Sequence, residues 1–363
     1  MEELRIPSDV RRSPPRTDGA ENLAQLYGLV LAGGEGQRVK NFVRKLRGDD
    51  LPKQYVNFTG FYSMIEHTYR RAEKLIPRSR VLTIINQSHL KYPEVRQQLR
   101  NRQRGTVIVQ PVNRETGPGL LLPLTYLYKR DPNAVVAVFP SDQFVLEADR
   151  VMRHIRLAHS VVEKQPNSLI LLGVAPDYEE TDYGYVVPAS AHDTTGWGIQ
   201  PVDAFIEKPA VQCAHELIEQ GALWNTMMMV FHVGSLFYWV KELQPEIYRH
   251  FAKIHDVIGT AAEVSVIHAA YAELSTVNFS KELLEPLAQR HSGTLTVLPV
   301  TKVTWSDWGS ESRILDSLKI LGKQPRGVQP IAALRRSNLS RSQRSRPDRH
   351  ELFTVKQRGL NQN

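Results

Sequence analysis

Nine short runs rich in aliphatic and β-branched residues mark the chain between Tyr27 and Val300, and the early ones alternate with helix-patterned stretches. The runs cover residues 27–32, 81–86, 106–110, 134–140, 168–174, 183–187, 202–208, 224–233 and 294–300. Several, such as SLILLGV at 168–174, carry no polar residue in the middle, as strands buried on both faces require. Helical patterns at 63–75, 93–102, 118–128 and 151–163 separate the early runs. A strand, a crossover helix and another strand pack back on one another as a right-handed parallel unit. The prediction is therefore a parallel, doubly wound sheet in the N-terminal half. Later strands come closer together, which predicts an antiparallel or mixed extension covering a cleft.

Charge is spread unevenly. The 363 residues hold 46 Lys+Arg and 38 Asp+Glu, a net of +8. Residues 323–363 contribute ten basic and two acidic side chains, leaving 36 of each in the rest. Three regions follow: a flexible arm over 1–22, a neutral globular body over 23–322, and a basic tail over 323–363 expected to be disordered. A single cysteine, Cys213, excludes a disulfide framework and a cysteine-based zinc cluster. No HExxH pair, Walker lysine or G-x-S-x-G elbow occurs. No apolar run reaches the ~20 residues that span a bilayer, and neither end reads as a signal segment, so a cytoplasmic protein without a membrane partner is expected.

The strongest local signal, YGLVLAGGEGQRV, follows the first strand. Gly33, Gly34 and Gly36 allow close backbone approach to an anion, and Arg38 adds a full positive charge. Lys53, on a loop stiffened by Pro52, suits phosphate. In VQPVNRETGPG, Gln110 could read a base edge, and Arg114 and Thr116 could hold phosphate or ribose, with a helix cap at Thr116 as the plainer reading. Asp142 lies just past a buried strand, where open α/β sheets bind ligands, and Asp307 sits between Trp305 and Trp308. Two oxygen donors from separate segments suit Mg²⁺, which keeps waters and takes few carboxylates.

Together LAGGEGQRV, PKQY, FPSD, FIEKP, WNTMMMVF and WSDWGS resemble, in order, the motifs of sugar-1-phosphate nucleotidyltransferases. QPVNRETGP and TDYGYVVP are similar to segments of the mannose-1-phosphate guanylyltransferase subgroup. The resemblance implies an α/β, Rossmann-like (GT-A-like) fold. Its sheet would be mixed but mostly parallel, with helices on both faces and a smaller antiparallel extension on the sugar side. It implies condensation of a nucleoside triphosphate, GTP in this subgroup, with mannose 1-phosphate to give GDP-mannose and pyrophosphate. Ala32, Gly33, Gly34, Gly36, Arg38 and Lys53 would cradle the triphosphate, and Gln110 would face the base. Asp142 and Asp307 would hold Mg²⁺. Glu207 would bind sugar hydroxyls, Lys208 the sugar phosphate, and Asn225 with the Gly184 backbone the sugar ring. A homodimer is compatible with this resemblance.

Three departures bear on specificity rather than on reaction class. The stretch between Arg38 and Lys53 looks long, Met227 stands where the family has glycine, and Glu115 adds an acid near the nucleotide. Competing readings are a transferase for another base or sugar, and a nucleotide-sensing relative without turnover. Nucleic-acid binding by the tail is disfavoured, because Phe353 is its only aromatic residue.

Overall fold

The structure is a computed structural model that describes residues 23–189, 198–291 and 293–323. The N-terminal arm and nearly all of the basic tail lie outside the described residues. The first half reads β1 (Leu26–Ala32), α1 (Lys40–Arg47), α2 (Met64–Ala72), β2 (Val81–Asn86), α3 (Pro93–Leu99) and β3 (Val107–Gln110). It continues with α4 (Thr116–Arg130), β4 (Val135–Pro140), β5 (Phe144–Val145) and α5 (Ala148–Lys164). Then come β6 (Leu169–Val174), β7 (Gly184–Pro188), β8 (Gln200–Glu207), α6 (Val211–Glu219) and β9 (Leu223–His232). Helices α7 (Val233–Leu243), α8 (Pro245–Val257) and α9 (Glu263–Glu273) lead to a π-helical turn at Ser280–Leu284. The described chain closes with α10 (Glu285–Arg290), β10 (Leu295–Pro299), β11 (Trp305–Ser306) and α11 (Glu311–Ile320). No helix among the described residues is long and apolar enough to cross a membrane.

Strand order in the main sheet is β3-β2-β1-β4-β9-β6-β10-β8-β7. The β3-β2-β1-β4 half is parallel, as the alternation of runs predicts. Every residue of β2, β4 and β6 is buried, because helices cover both faces. Side chains alternate between two cores: Val30, Phe139 and Leu172 on one face, Leu29, Val138 and Leu171 on the other.

The second half is mixed, as the closer spacing of the later strands predicts, but its antiparallel share is larger than expected. Strand β9 runs antiparallel to β4, β6 and β7, and β8 is antiparallel to both β7 and β10. The sheet is therefore mixed rather than mostly parallel. Strand β7 pairs back onto β9 through Tyr185 and Trp224 and closes a ring of strands. The cause lies in β9, where Thr226, Met227 and Met228 stand against Leu172 alone, making a bulge. Bulges raise local twist and bend a strand. Here β9 meets β4 along its C-terminal half and β7 at its start.

The long stretch after Arg38 forms α1, which ends where Gly48 adopts φ 80° and its N–H caps Arg44 O. Helix α2 starts with a capping box, in which Ser63 and Glu66 satisfy each other's backbone N–H.

Candidate functional site

The glycine loop leaves β1 at Ala32, at the carboxyl end of the parallel strands. Gly36 has φ 62°, a left-handed conformation that costs an L side chain about 1–2 kcal/mol. A Cβ there would also lie 3.3 Å from Lys53. At Gly33 a Cβ would come within 2.7 Å of Gln110 Nε2, so the bare backbone is what lets that buried amide reach the loop. Gln54, next to Lys53, donates from Nε2 to both Ala32 O (2.9 Å) and Gly34 O (2.8 Å). The motif PKQY thus supplies two neighbours of the glycine loop, of which only the lysine stands out in the sequence.

Lys53 is the hub. Its ammonium, almost fully buried, donates to Asp307 O and Trp308 O at 3.0 Å and lies 3.1 Å from Asp142 Oδ2. Two acids 165 positions apart meet because β5 pairs with β11, Phe144 opposite Ser306. Trp308 anchors the second segment: its ring is buried, stacks on Phe144 at 5.5 Å and meets Phe58 edge-on at 5.4 Å. Gln143 ties the first segment to the sheet, donating to Thr226 O (2.5 Å) and accepting from Trp305 Nε1 (3.1 Å).

Asp307 is held on both oxygens. Tyr183 Oη and Gly309 N donate to Oδ1 at 2.8 Å, and Arg38 Nη2 donates to Oδ2 at 3.2 Å. A Cβ at Gly309 would overlap Asp307 Oδ2, so this glycine is required for the acid to sit where it does. Arg38 also pairs with Asp182, and Arg313 bridges Glu180 (2.8 Å), Asp182 (3.3 Å) and Asp307 (3.4 Å). Burial opposes the Arg313 charge, yet Asp307, Tyr183 and Glu180 outweigh it and raise its pKa. Burial and Asp307 push the Tyr183 hydroxyl upward, so it stays a donor at neutral pH. Arg313 and Glu180 carried no signal of their own in the sequence, because only folding brings them to Asp307. Arg38, with half its side chain exposed, is the most exposed of the three cations around Asp307.

A second group gathers where β7, β8 and β9 meet. Gly184 pairs with Glu207, and a Cβ at Gly184 would lie 2.7 Å from Glu207 Oε2. Burial pushes the Glu207 carboxyl up; Lys208 works against this and Glu285 adds to it. Hydrogen bonds from Ser280 and Asn278 hold the rise back without cancelling it. Lys208 has φ 51°, and its N–H donates to Tyr183 O at 3.0 Å, which links this group to Asp307. Asn225 Oδ1 accepts from Met227 N at 2.9 Å. Met227 itself has φ 56°, so the methionine occupies a glycine-type conformation in the β9 bulge. Its Sδ accepts from Ser280 Oγ at 3.4 Å.

Two expected residues sit elsewhere. Arg114 donates to Tyr271 O (3.0 Å), a carbonyl in the last turn of α9. Thr116 accepts from Phe279 N at 2.8 Å and follows Glu115, which takes the N-cap position with φ 70°. Both side chains fasten the 271–279 segment rather than joining the Lys53 cluster. Gln110 is buried beneath Gly33, with Tyr271 Oη 3.5 Å from its Oε1.

Comparison with known proteins places the chain among nucleotidyl transferases. A mannose-1-phosphate guanylyltransferase 2 of Escherichia coli O157:H7 is 27% identical over 311 residues, 82% of this chain and 61% of its own. The alginate biosynthesis protein AlgA of Pseudomonas aeruginosa is 24% identical over 79% of this chain and 57% of its own. The chain thus spans about three fifths of the length of these curated relatives. The crystal structure of mannose-1-phosphate geranyltransferase from Thermus thermophilus superposes with a TM-score of 0.67. It is 21% identical and covers 83% of this chain and 80% of its own, a likeness of fold. The sequence model of the nucleotidyl transferase family matches residues 27–323, and the chain belongs to that family.

Proposed function

We propose that this protein transfers a nucleoside monophosphate from a nucleoside triphosphate, GTP by preference, to mannose 1-phosphate, releasing pyrophosphate and GDP-mannose. The observation that carries the reading is the Lys53 ammonium joining Asp142 to the Asp307 backbone beside the Gly36 turn. The names of the relatives support the choice of sugar and base.

The attacking group in such a reaction is a phosphate oxygen already ionised at pH 7, so no general base is needed. The obstacle is bringing one anion to another. A unit charge pair at 4 Å is worth about 4 kcal/mol at an effective dielectric of 20, whereas a helix end supplies ~0.3–2 kcal/mol. Arg38, Lys53 and Lys208 therefore carry the attraction, with Arg38 leaving Asp182 for the triphosphate. Among the described residues no three His, Cys, Asp or Glu side chains converge as a metal cage. Asp142 and Asp307 fit instead a hard cation that shares its ligands with water and substrate phosphate. Mg²⁺ held by these two carboxylates would neutralise phosphate charge. Purified protein assayed for pyrophosphate release across a matrix of nucleotides and sugar 1-phosphates tests the reading. GTP with mannose 1-phosphate should give the highest kcat/KM, and a flat or silent matrix sinks the assignment.

In the sugar subsite, Met227→Gly should be about 1 kcal/mol more stable than Met227→Ala by thermal or denaturant unfolding. Both lose the thioether, but only glycine relieves the positive φ. Both should relax discrimination among sugar 1-phosphates about tenfold in kcat/KM, and unchanged ratios would remove Met227 from the subsite.

Glu207 gives a pH signature. Its folded pKa is raised, so the stability it contributes is present below its unfolded pKa of about 4.3 and fades as pH rises through the folded value. The Tm of Glu207→Gln relative to the parent should rise as pH goes from 4 to 7. A difference independent of pH contradicts the buried-carboxyl account.

A further inference from the structure

A cavity of about 620 Å³ opens between the loop after Tyr55, α2 and α3, apart from the Lys53 cluster. Its wall holds five arginines and three glutamates, a net of +2. All three carboxylates are already engaged: Glu94 with Arg47 (3.1 Å), Glu73 with Arg102 and Glu66 in the Ser63 capping box. Arg70 and Arg100 pair with no carboxylate among the described residues, and Arg70 lies over the Tyr62 ring at 4.4 Å. Arg102, almost fully buried, has its Nε without a hydrogen-bond partner among the described residues. Gln97 and Asn101 add side-chain amides to the same wall.

We infer that this cavity is a second, regulatory site for a phosphorylated polyol of sugar-phosphate size. The unpaired guanidiniums of Arg70 and Arg100 would take the phosphate, and the amides the hydroxyls. The volume falls within the range of small-molecule pockets. Its route to the nucleotide loop is short. Gln98 in the wall donates to Tyr55 O at 2.9 Å, and Tyr55 Oη lies 3.4 Å from Ala32 O. Tyr55 also ends the short helical turn that begins at Lys53. The regulatory effect rests on the nucleotide reading above, whereas binding to the cavity does not.

The test uses the full chain and glucose 6-phosphate, whose phosphate is on the wrong carbon for transfer, with glucose and inorganic phosphate as separate arms. Calorimetry should give saturable binding of glucose 6-phosphate, weakened at least tenfold in Arg70→Gln/Arg100→Gln. Both side chains are exposed, so the double variant should keep the parent's Tm and basal rate. Saturating ligand should shift the nucleotide affinity at least twofold in the parent and not in the variant. Tighter binding of glucose 6-phosphate than of inorganic phosphate supports the polyol contacts; equal binding overturns them. The inference is overturned by absence of saturable binding, by binding that survives the double substitution, or by binding with no shift in nucleotide affinity. A protein that binds no nucleotide at all sinks the transferase reading instead, and the calorimetry still decides whether the cavity is occupied.

Discussion

Asp142→Ala lowers pyrophosphate release by about a thousandfold while lowering the unfolding midpoint less than Asp307→Ala does. That is the expected result if Asp142 acts on substrate charge rather than on the fold. Its side chain is 37% exposed and, among the described residues, makes one ion pair, with Lys53. A thousandfold corresponds to about 4 kcal/mol of transition-state stabilisation, a reasonable share for one of two carboxylates organising phosphate charge. Asp307→Ala should be as inactive but also destabilised, by about 2–4 kcal/mol. The Asp307 carboxylate binds Tyr183, Gly309 N, Arg38 and Arg313, and its loss leaves those partly buried groups without their acceptor. The two variants measured together separate chemistry from scaffolding. Equal destabilisation with activity retained in Asp142→Ala would falsify the assignment of that residue.

Lys53→Met should be severe on both counts. The methionine keeps the length of the side chain but removes the donor to Asp307 O and Trp308 O and the partner of Asp142. Two carbonyls then lose their hydrogen bonds and a carboxylate loses its ion pair, at a cost of about 3 kcal/mol. Turnover should fall a hundredfold or more if, as proposed, the same ammonium serves the triphosphate. Denaturant unfolding and initial rates check this. A variant with parental stability would mean that the Lys53 bridge does not hold the two acidic segments together.

Much of this was legible beforehand. The parallel half follows from apolar runs without polar interruption, and the nine strands of the main sheet begin and end within about two residues of the runs read from pattern, whereas β5 and β11 are too short to carry one. The glycine loop, Lys53, Asp142 and Asp307 stood out by type and place together: glycines and an acid at strand ends, a lysine on a stiff loop, and an acid between two tryptophans. Arg114 and Thr116 stood out for the same reason, yet their hydrogen bonds go to the 271–279 segment. A side chain's type limits what it can bind, but its partner is chosen by whatever the fold brings within about 3 Å.

The order of short buried strands and helices, read by itself, determined a layered α/β body with the glycine loop at the carboxyl edge of its parallel strands, because burial on two faces leaves few other solutions. Only the tertiary structure decided how that edge is built. The pairing of β5 with β11 brings Asp142 to Asp307, and the β9 bulge turns Met227 to Ser280 and bends the second half of the sheet onto itself. These contacts join residues far apart in the chain, and no local pattern encodes a distance that depends on every element folded between them.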